Sequence, residues 1–320
     1  MTTRIAILDD YVNAALGLAP WDSLPDCQAV VFDTYISGGD DRVANALQEF
    51  DVVVCMRERT RLPAAVIDRL PRLKLIITTG ARNASIDGAA ARKRGIPVCG
   101  SPLIGFAAGE HAWGLVMALA RRIPMEDRAM KTGGWQKEFP VTMGGKTLGI
   151  LGFGRLGKQV AGYGVAFGMK VIAWSPSLTD ATAAERGVAR VERDRLFTDS
   201  DFLSIQVTLN QGTRGSVGAR ELGMMKPTAY LVNTSRGPIV DEAALIQALE
   251  RKTIAGAGLD VFDEEPLPVD HPLRRFDSAV LTGHTGYVSR EAFEQGYRGV
   301  VEDIHAWLKG KPIRVLNDRD

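Results

Sequence analysis

The sequence predicts an α/β protein with two doubly wound parallel-sheet domains, and three observations carry that prediction. The chain has 320 residues, 45% of them hydrophobic and 24% charged, enough to bury a large core and to divide into two lobes. Short runs rich in Val, Ile and Leu alternate with longer stretches of helical spacing, as in sheets covered by helices on both faces. Gly152, Gly154 and Gly157 stand in G-x-G-x-x-G spacing directly after one such run.

The first set of strand candidates is RIAIL, AVVF, DVVVC, LKLIITT and IPVC, making one lobe that ends near Pro102. GEHAWGLVMALARRI then reads as a long helix bridging the lobes, with Arg121 and Arg122 near its end, where cations suit the helix dipole. The second set is TLGILGFG, KVIAWS, FLSIQV, AYLVNT, IAGAGLDVF and AVLTGH. In the last helix Phe293, Tyr297, Val300, Val301, Ile304 and Leu308 fall on one face, and Ser289 is placed to cap its N-terminus. That helix could return to the first lobe.

Composition excludes several classes of function. A formal charge of +1 gives no basic field for nucleic acid. Cys27, Cys55 and Cys99 are far apart with no C-x-x-C pairing, so neither a metal site nor a disulfide framework is expected. RIAILDDY is too short for a signal peptide core, and AWGLVMALA is less than half a membrane span. A cytoplasmic protein without a membrane partner is the expectation.

The glycine motif carries the first chemistry. Its residues permit a tight turn, close approach of backbone to a pyrophosphate and close strand–helix packing, while the helix behind offers N–H groups to the anion. A glycine turn serving packing alone is the bland alternative, and the strand before and helix after weigh against it. No G-K-[ST] follows, which excludes a Walker A loop. Ligands of open α/β sheets lie beyond the carboxyl ends of the strands, where Ser175, Val207 with Thr208, Arg236, Asp260 and His284 fall. An arginine there can grip a carboxylate through two parallel hydrogen bonds and polarise an adjacent carbonyl. His284 is a suitable acid for a carbonyl oxygen, and Glu265 can stabilise its imidazolium and fix the ring. Each alone has an ordinary reading: a surface Arg, a core His, a solvated Glu. His111, His271 and His305 follow no inner strand, which leaves His284 best placed. The acidic residue that would accept the adenosine ribose is expected about twenty residues after the glycines. Ser175 stands there, so NAD or NADP is the expected cofactor.

GKTLGILGFGRLGKQVA, MKPTAYLVNTSRGPIVDEAALIQAL, AGAGLDVFDEEPLP and LTGHTGY together resemble, in order and spacing, the D-isomer-specific 2-hydroxyacid dehydrogenase family over nearly the whole chain. The resemblance implies a discontinuous flavodoxin-like substrate domain (1–102 with 288–320), an inserted Rossmann cofactor domain (103–287), a cleft between them and a homodimer formed through the cofactor domain. It implies Arg236, Glu265 and His284 as the catalytic set and Asp260 beside the nicotinamide carboxamide. Arg155 and Leu156 would then lie beside the pyrophosphate, with Thr213, Asn233, Thr234 and Gly286 also at the cofactor.

Departures from the family pattern are visible. Gly283 stands where a proline usually precedes the His. The substrate loop TTGARNASID, with Gly80, Ala81, Arg82 and Asn83 as substrate-binding candidates, carries Arg82 at a usual glycine position. Arg82, with Arg57, suggests a second anionic group on the substrate; both arginines simply facing solvent is the ordinary alternative. With so few residues after the last helix, the regulatory domain that many phosphoglycerate dehydrogenases carry is not expected. The expected activity is reversible hydride transfer between NAD(P)H and a 2-keto acid to give a D-2-hydroxy acid. A dinucleotide-sensing corepressor-like protein is the alternative.

Overall fold

The computed structural model describes residues 2–103 and 105–318. The chain divides into two units, Met1–Gly105 with Ser289–Asp320, and Phe106–Val288.

In the first unit, strands β1 (Thr3–Ile7), β2 (Cys27–Val31), β3 (Val52–Cys55), β4 (Leu75–Thr79) and β5 (Val98–Ser101) form a parallel sheet in the order β2-β1-β3-β4-β5. This is the flavodoxin-like order, with its switch point between β1 and β3. The inner strands β3 and β4 are buried throughout, as their unbroken apolar runs require. Helix Arg290–Leu308 packs on β4 and β5, and Gly299 allows the contact: a Cβ there would lie 2.7 Å from Pro102 and 3.0 Å from Ser101. Ser289 caps this helix by accepting the Ala292 N–H.

In the second unit, β6 (Thr147–Leu151), β7 (Lys170–Trp174), β8 (Ala189–Arg190), β9 (Phe202–Ile205), β10 (Tyr230–Asn233), β11 (Gly256–Leu259) and β12 (Ala279–Leu281) form a second parallel sheet. Its order, β12-β11-β10-β9-β6-β7-β8, is the Rossmann order with one strand added, and the switch point lies between β6 and β9. Both faces are covered. One carries Leu196, Phe197, Leu222, Leu245 and Leu249, and the other Leu115, Val116, Leu119 and Val160.

Three details depart from the sequence reading. β8 is an additional strand of two exposed residues, too short and too polar to carry an apolar signature. The runs FLSIQV and AYLVNT leave the sheet earlier than their composition suggests, so Gln206, Val207 and Thr234 belong to loops. The long helix Ala107–Arg121 ends with Arg122 in the left-handed region at φ 57°, and a second helix, Ile123–Lys131, begins there. Among the described residues, no helix is long and apolar enough to cross a membrane and no His, Cys, Asp and Glu group could hold a metal ion.

Candidate active site

The three motif glycines meet three different steric demands. Gly152 has φ +97°, and a Cβ there would meet Val207 at 2.6 Å and the Gln206 backbone at 2.8 Å, so only glycine makes this turn. A Cβ on Gly157 would lie 2.1 Å from the Gly152 carbonyl oxygen, which fixes how closely helix Arg155–Ala166 meets β6. Around Gly154 there is nothing within 4 Å. That open space at a helix N-terminus, next to Arg155 and Leu156, is what a pyrophosphate requires. The residues present therefore suit a dinucleotide.

Beyond β10, Asn233 is buried and its amide builds the next loop. Nδ2 donates to the Arg236 carbonyl at 3.0 Å and Oδ1 accepts the Ser235 N–H at 3.1 Å. Thr234 accepts from Gln206 at 3.3 Å. Arg236 emerges from this turn, its Nη1 donating to the Ser235 carbonyl at 2.7 Å. The next residue, Gly237, lets this loop lie against the one after β11: a Cβ there would fall 2.1 Å from the Phe262 carbonyl carbon. The loop after β11 carries Glu265. Its Oε1 accepts the Phe262 N–H at 2.9 Å and its Oε2 lies 2.5 Å from His284 Nδ1. Both side chains stay partly open, His284 at 19% and Glu265 at 30% exposure. With Nδ1 committed to the carboxylate, Nε2 is the ring atom left to exchange a proton with a ligand.

Asp260, one residue past β11, is 1% exposed and turned toward the β12 loop. Its Oδ1 accepts from the Thr282 hydroxyl at 2.6 Å and the Thr285 N–H at 2.8 Å; its Oδ2 accepts the Gly286 N–H at 2.8 Å. His111 Nε2 lies 2.9 Å from the Thr282 hydroxyl and 3.2 Å from Asp260 Oδ1. Burial alone would raise the pKa of Asp260. Hydrogen bonds from His111 and Thr282, the charge of His111 and the Thr285 amide outweigh burial and hold it below the usual carboxylate value.

Sequence reasoning missed His111 and Thr282. The signal for His111 lies in helix Ala107–Arg121: it stands four residues before Leu115 and eight before Leu119, on the buried stripe. A Cβ on Gly258 would lie 3.2 Å from Leu115 and 3.1 Å from Leu119, so that stripe lies directly over β11. Two strand residues and four helix residues both span roughly 6 Å, which brings His111 level with Asp260.

Ser175 directly follows β7 and is half-buried; Thr208 is exposed past β9 beside the half-buried Val207. The Thr213 hydroxyl donates to the Thr208 carbonyl at 2.7 Å and holds this loop shut on itself. The substrate-loop candidates lie in the first unit. Arg57, at φ 53°, has its N–H on Thr79 Oγ1 at 3.2 Å, and its carbonyl accepts Asn83 Nδ2 at 2.5 Å. Gly80, at φ +114°, has Arg57 Nη1 where a Cβ would come within 2.1 Å. Ala81 and Arg82 are exposed. Thus the loops after β3 and β4 are joined through Arg57, Gly80 and Asn83, while Arg236, Glu265, His284 and Asp260 gather in the second unit.

This sheet order and glycine turn define a Rossmann-type dinucleotide-binding unit, with a Glu–His pair beyond its strand ends. Residues 113–286 match the family described as D-isomer specific 2-hydroxyacid dehydrogenase, NAD binding domain. The chain is 37% identical over 290 residues to a D-3-phosphoglycerate dehydrogenase of Synechocystis sp., covering 90% of this chain and 52% of that protein. It is 36% identical over 298 residues to a glyoxylate reductase of Aeropyrum pernix, covering 90% and 89%. Among solved structures, a phosphoglycerate oxidoreductase from Vibrio cholerae superposes with a TM-score of 0.91 at 31% identity, covering 97% of this chain and all of that one. The chain belongs to the D-isomer-specific 2-hydroxyacid dehydrogenase family. It spans about half the length of the D-3-phosphoglycerate dehydrogenases it matches. The comparisons lend nothing to the corepressor-like alternative.

Proposed function

We propose that this protein reversibly reduces a 2-keto acid to a D-2-hydroxy acid with a nicotinamide dinucleotide. The observation that carries the reading is the 2.5 Å contact between Glu265 and His284, on loops beyond the same strand ends as the open glycine turn. The cofactor, when bound, supplies the hydride to the carbonyl carbon. Arg236 holds the substrate carboxylate and polarises the keto oxygen. His284 gives its Nε2 proton to that oxygen, and Glu265, bonded at Nδ1, keeps the ring oriented and stabilises its cationic form before transfer. In the oxidative direction the same atom takes the hydroxyl proton back.

The relatives act on different substrates by name, glyoxylate in one case and 3-phosphoglycerate in another. For this chain we extend the role of carboxylate binding to the loop Gly80–Asn83, and to Arg57 and Arg82 a preference for a substrate bearing a second anionic group. The Arg57 guanidinium against Gly80 supports Arg57 in that role. Both NADH and NADPH serve, because Ser175 carries no charge to repel a 2′-phosphate. A homodimer forms through the cofactor-binding unit, whose surface exposes Trp135 at 70% and Phe139 at 99%.

The test is a panel of 2-keto acids (glyoxylate, hydroxypyruvate, pyruvate and oxaloacetate), each assayed with NADH and with NADPH, with chiral analysis of the product. Turnover to the D-isomer of a chiral product supports the reading. No turnover with any of them, or an L-product, overturns it.

A further inference from the structure

We infer that His111, Thr282 and Asp260 form a buried relay that positions the loop carrying His284. The inference rests on the proposed role of His284 and assigns a task to three residues outside the reacting group.

The loop from Thr282 to Gly286 leaves β12 and turns sharply, with His284 in the left-handed region at φ 54°. A non-glycine residue pays a conformational cost there and persists only where its surroundings hold it. Those surroundings are the Asp260 carboxylate. It grips the loop on both sides of His284, taking the Thr282 hydroxyl before it and the Thr285 and Gly286 amides after it. Gly286 leaves the space for this grip, since a Cβ there would lie 2.8 Å from Asp260 Oδ2 and 3.6 Å from His111 Cδ2.

The direction of each proton follows from the donor inventory. Asp260 as a carboxylate only accepts, so the Thr282 hydroxyl spends its single proton on Oδ1 across 2.6 Å. The Thr282 oxygen then faces His111 as an acceptor, and the 2.9 Å contact requires the proton on His111 Nε2. The order runs from His111 to Thr282 to Asp260, with His111 Nε2 also 3.2 Å from Asp260 Oδ1, and from Asp260 to the two amides behind His284. Hydrogen-bonded groups around Asp260 keep it ionised despite burial, which sustains the whole set. His111 is therefore a positioning residue: it touches neither His284 nor Glu265 in any contact described above, and it acts through the carboxylate that sets the loop.

The relay is tested in the full-length protein with Thr282→Val, which keeps the shape and removes the hydroxyl, and Thr282→Ser, which restores it. Three quantities are read: amide hydrogen exchange over residues 283–288, kcat, and the dissociation constant of the cofactor by fluorescence titration. The Val variant should exchange these amides about tenfold faster. Its kcat should fall by roughly 10- to 100-fold, the scale of a small misplacement of a reacting group, with cofactor affinity kept within about threefold. The Ser variant should recover wild-type exchange and most of the rate. If Thr282→Val does not fold, His111→Phe replaces it with the same expected split, and His111→Gln, which still offers a donor, supplies the rescue. Unchanged exchange and kcat would overturn the relay; so would a tenfold weaker cofactor with kcat intact, since the Thr282 hydroxyl would then serve cofactor binding and not the placement of His284. Hydrogen exchange needs no turnover, so a wild-type protein that reduces no 2-keto acid defeats the proposed function while the loop result still decides the relay.

Discussion

Glu265 places one carboxylate oxygen 2.5 Å from His284 Nδ1 and the other 2.9 Å from the Phe262 N–H, so both oxygens are used and the carboxyl plane is fixed. A carboxylate held at both ends cannot swing away when the ring changes charge. Glu265→Gln keeps the size and loses the charge. It should lower kcat by about 10- to 100-fold, while His284→Gln should lower it by roughly 100-fold or more. Cofactor affinity should change little in either, measured by fluorescence titration. Equal turnover in wild type and His284→Gln would remove His284 from the chemistry.

These positions were readable in the sequence to different depths. The glycine motif was legible because its demands are local: Gly152 needs its φ, Gly157 its missing Cβ and Gly154 its empty surroundings. Arg236, Asp260 and His284 were legible as residues following apolar runs, since parallel strands all point their carboxyl ends one way. His111 and Thr282 were not, because 171 positions separate them and only the register of a helix over Gly258 brings them together. β8 was illegible for another reason. Ala189 and Arg190 are exposed, and they join the sheet through backbone hydrogen bonds that no side-chain pattern announces.

Gly237 is where the Arg236 loop and the Glu265 loop touch. A methyl group there would enter the Phe262–Asp263 peptide, with contacts of 2.1, 2.2 and 2.6 Å to backbone atoms that cannot rotate away. Gly237→Ala should destabilise the protein by about 1–3 kcal/mol through overpacking. It should also lower kcat by separating the two loops. Thermal melts and steady-state kinetics check the two effects, and a fully active, equally stable variant would contradict the geometry.

Asp303 gives a pH dependence with a definite sign. It is buried on helix Arg290–Leu308 with Oδ1 accepting from Arg314 Nε at 2.9 Å. Burial outweighs Arg314 and pushes its pKa up to about 6, from an ordinary 3.8. A carboxyl whose folded pKa is raised stabilises the fold while protonated. That contribution is complete below the unfolded value and is lost as pH rises through the folded one. Between pH 4 and about 6, the wild type should therefore lose stability relative to Asp303→Asn, which has no proton to release. Melting temperatures of both proteins across that range measure the difference, and parallel curves would refute it.

The last prediction concerns the choice between NADH and NADPH. Ser175 follows β7 where an acid would repel a 2′-phosphate, and its hydroxyl can donate to a phosphate oxygen. The two-residue β8 brings a cation close by, because Val191 N–H donates to the Ala173 carbonyl at 3.0 Å and the chain then turns into Arg193. The Arg193 guanidinium carbon lies 6.0 Å from the Trp174 ring centre. Its charge is already engaged, however: it donates to Glu221 at 2.9 Å and to the Ser216 carbonyl. The turn thus lacks both the repulsion of a strict NAD site and an uncommitted clamp for a strict NADP site. NADPH should be used at least as well as NADH, with modest discrimination. Ser175→Asp should shift the ratio of kcat/KM values toward NADH by placing like charge against the phosphate, with kcat for NADH retained. Glu221→Gln should act the other way, since it frees Arg193 from its carboxylate partner and improves the KM for NADPH. A wild-type preference for NADH above about a hundredfold, close to 3 kcal/mol, would show that something other than this turn selects the cofactor.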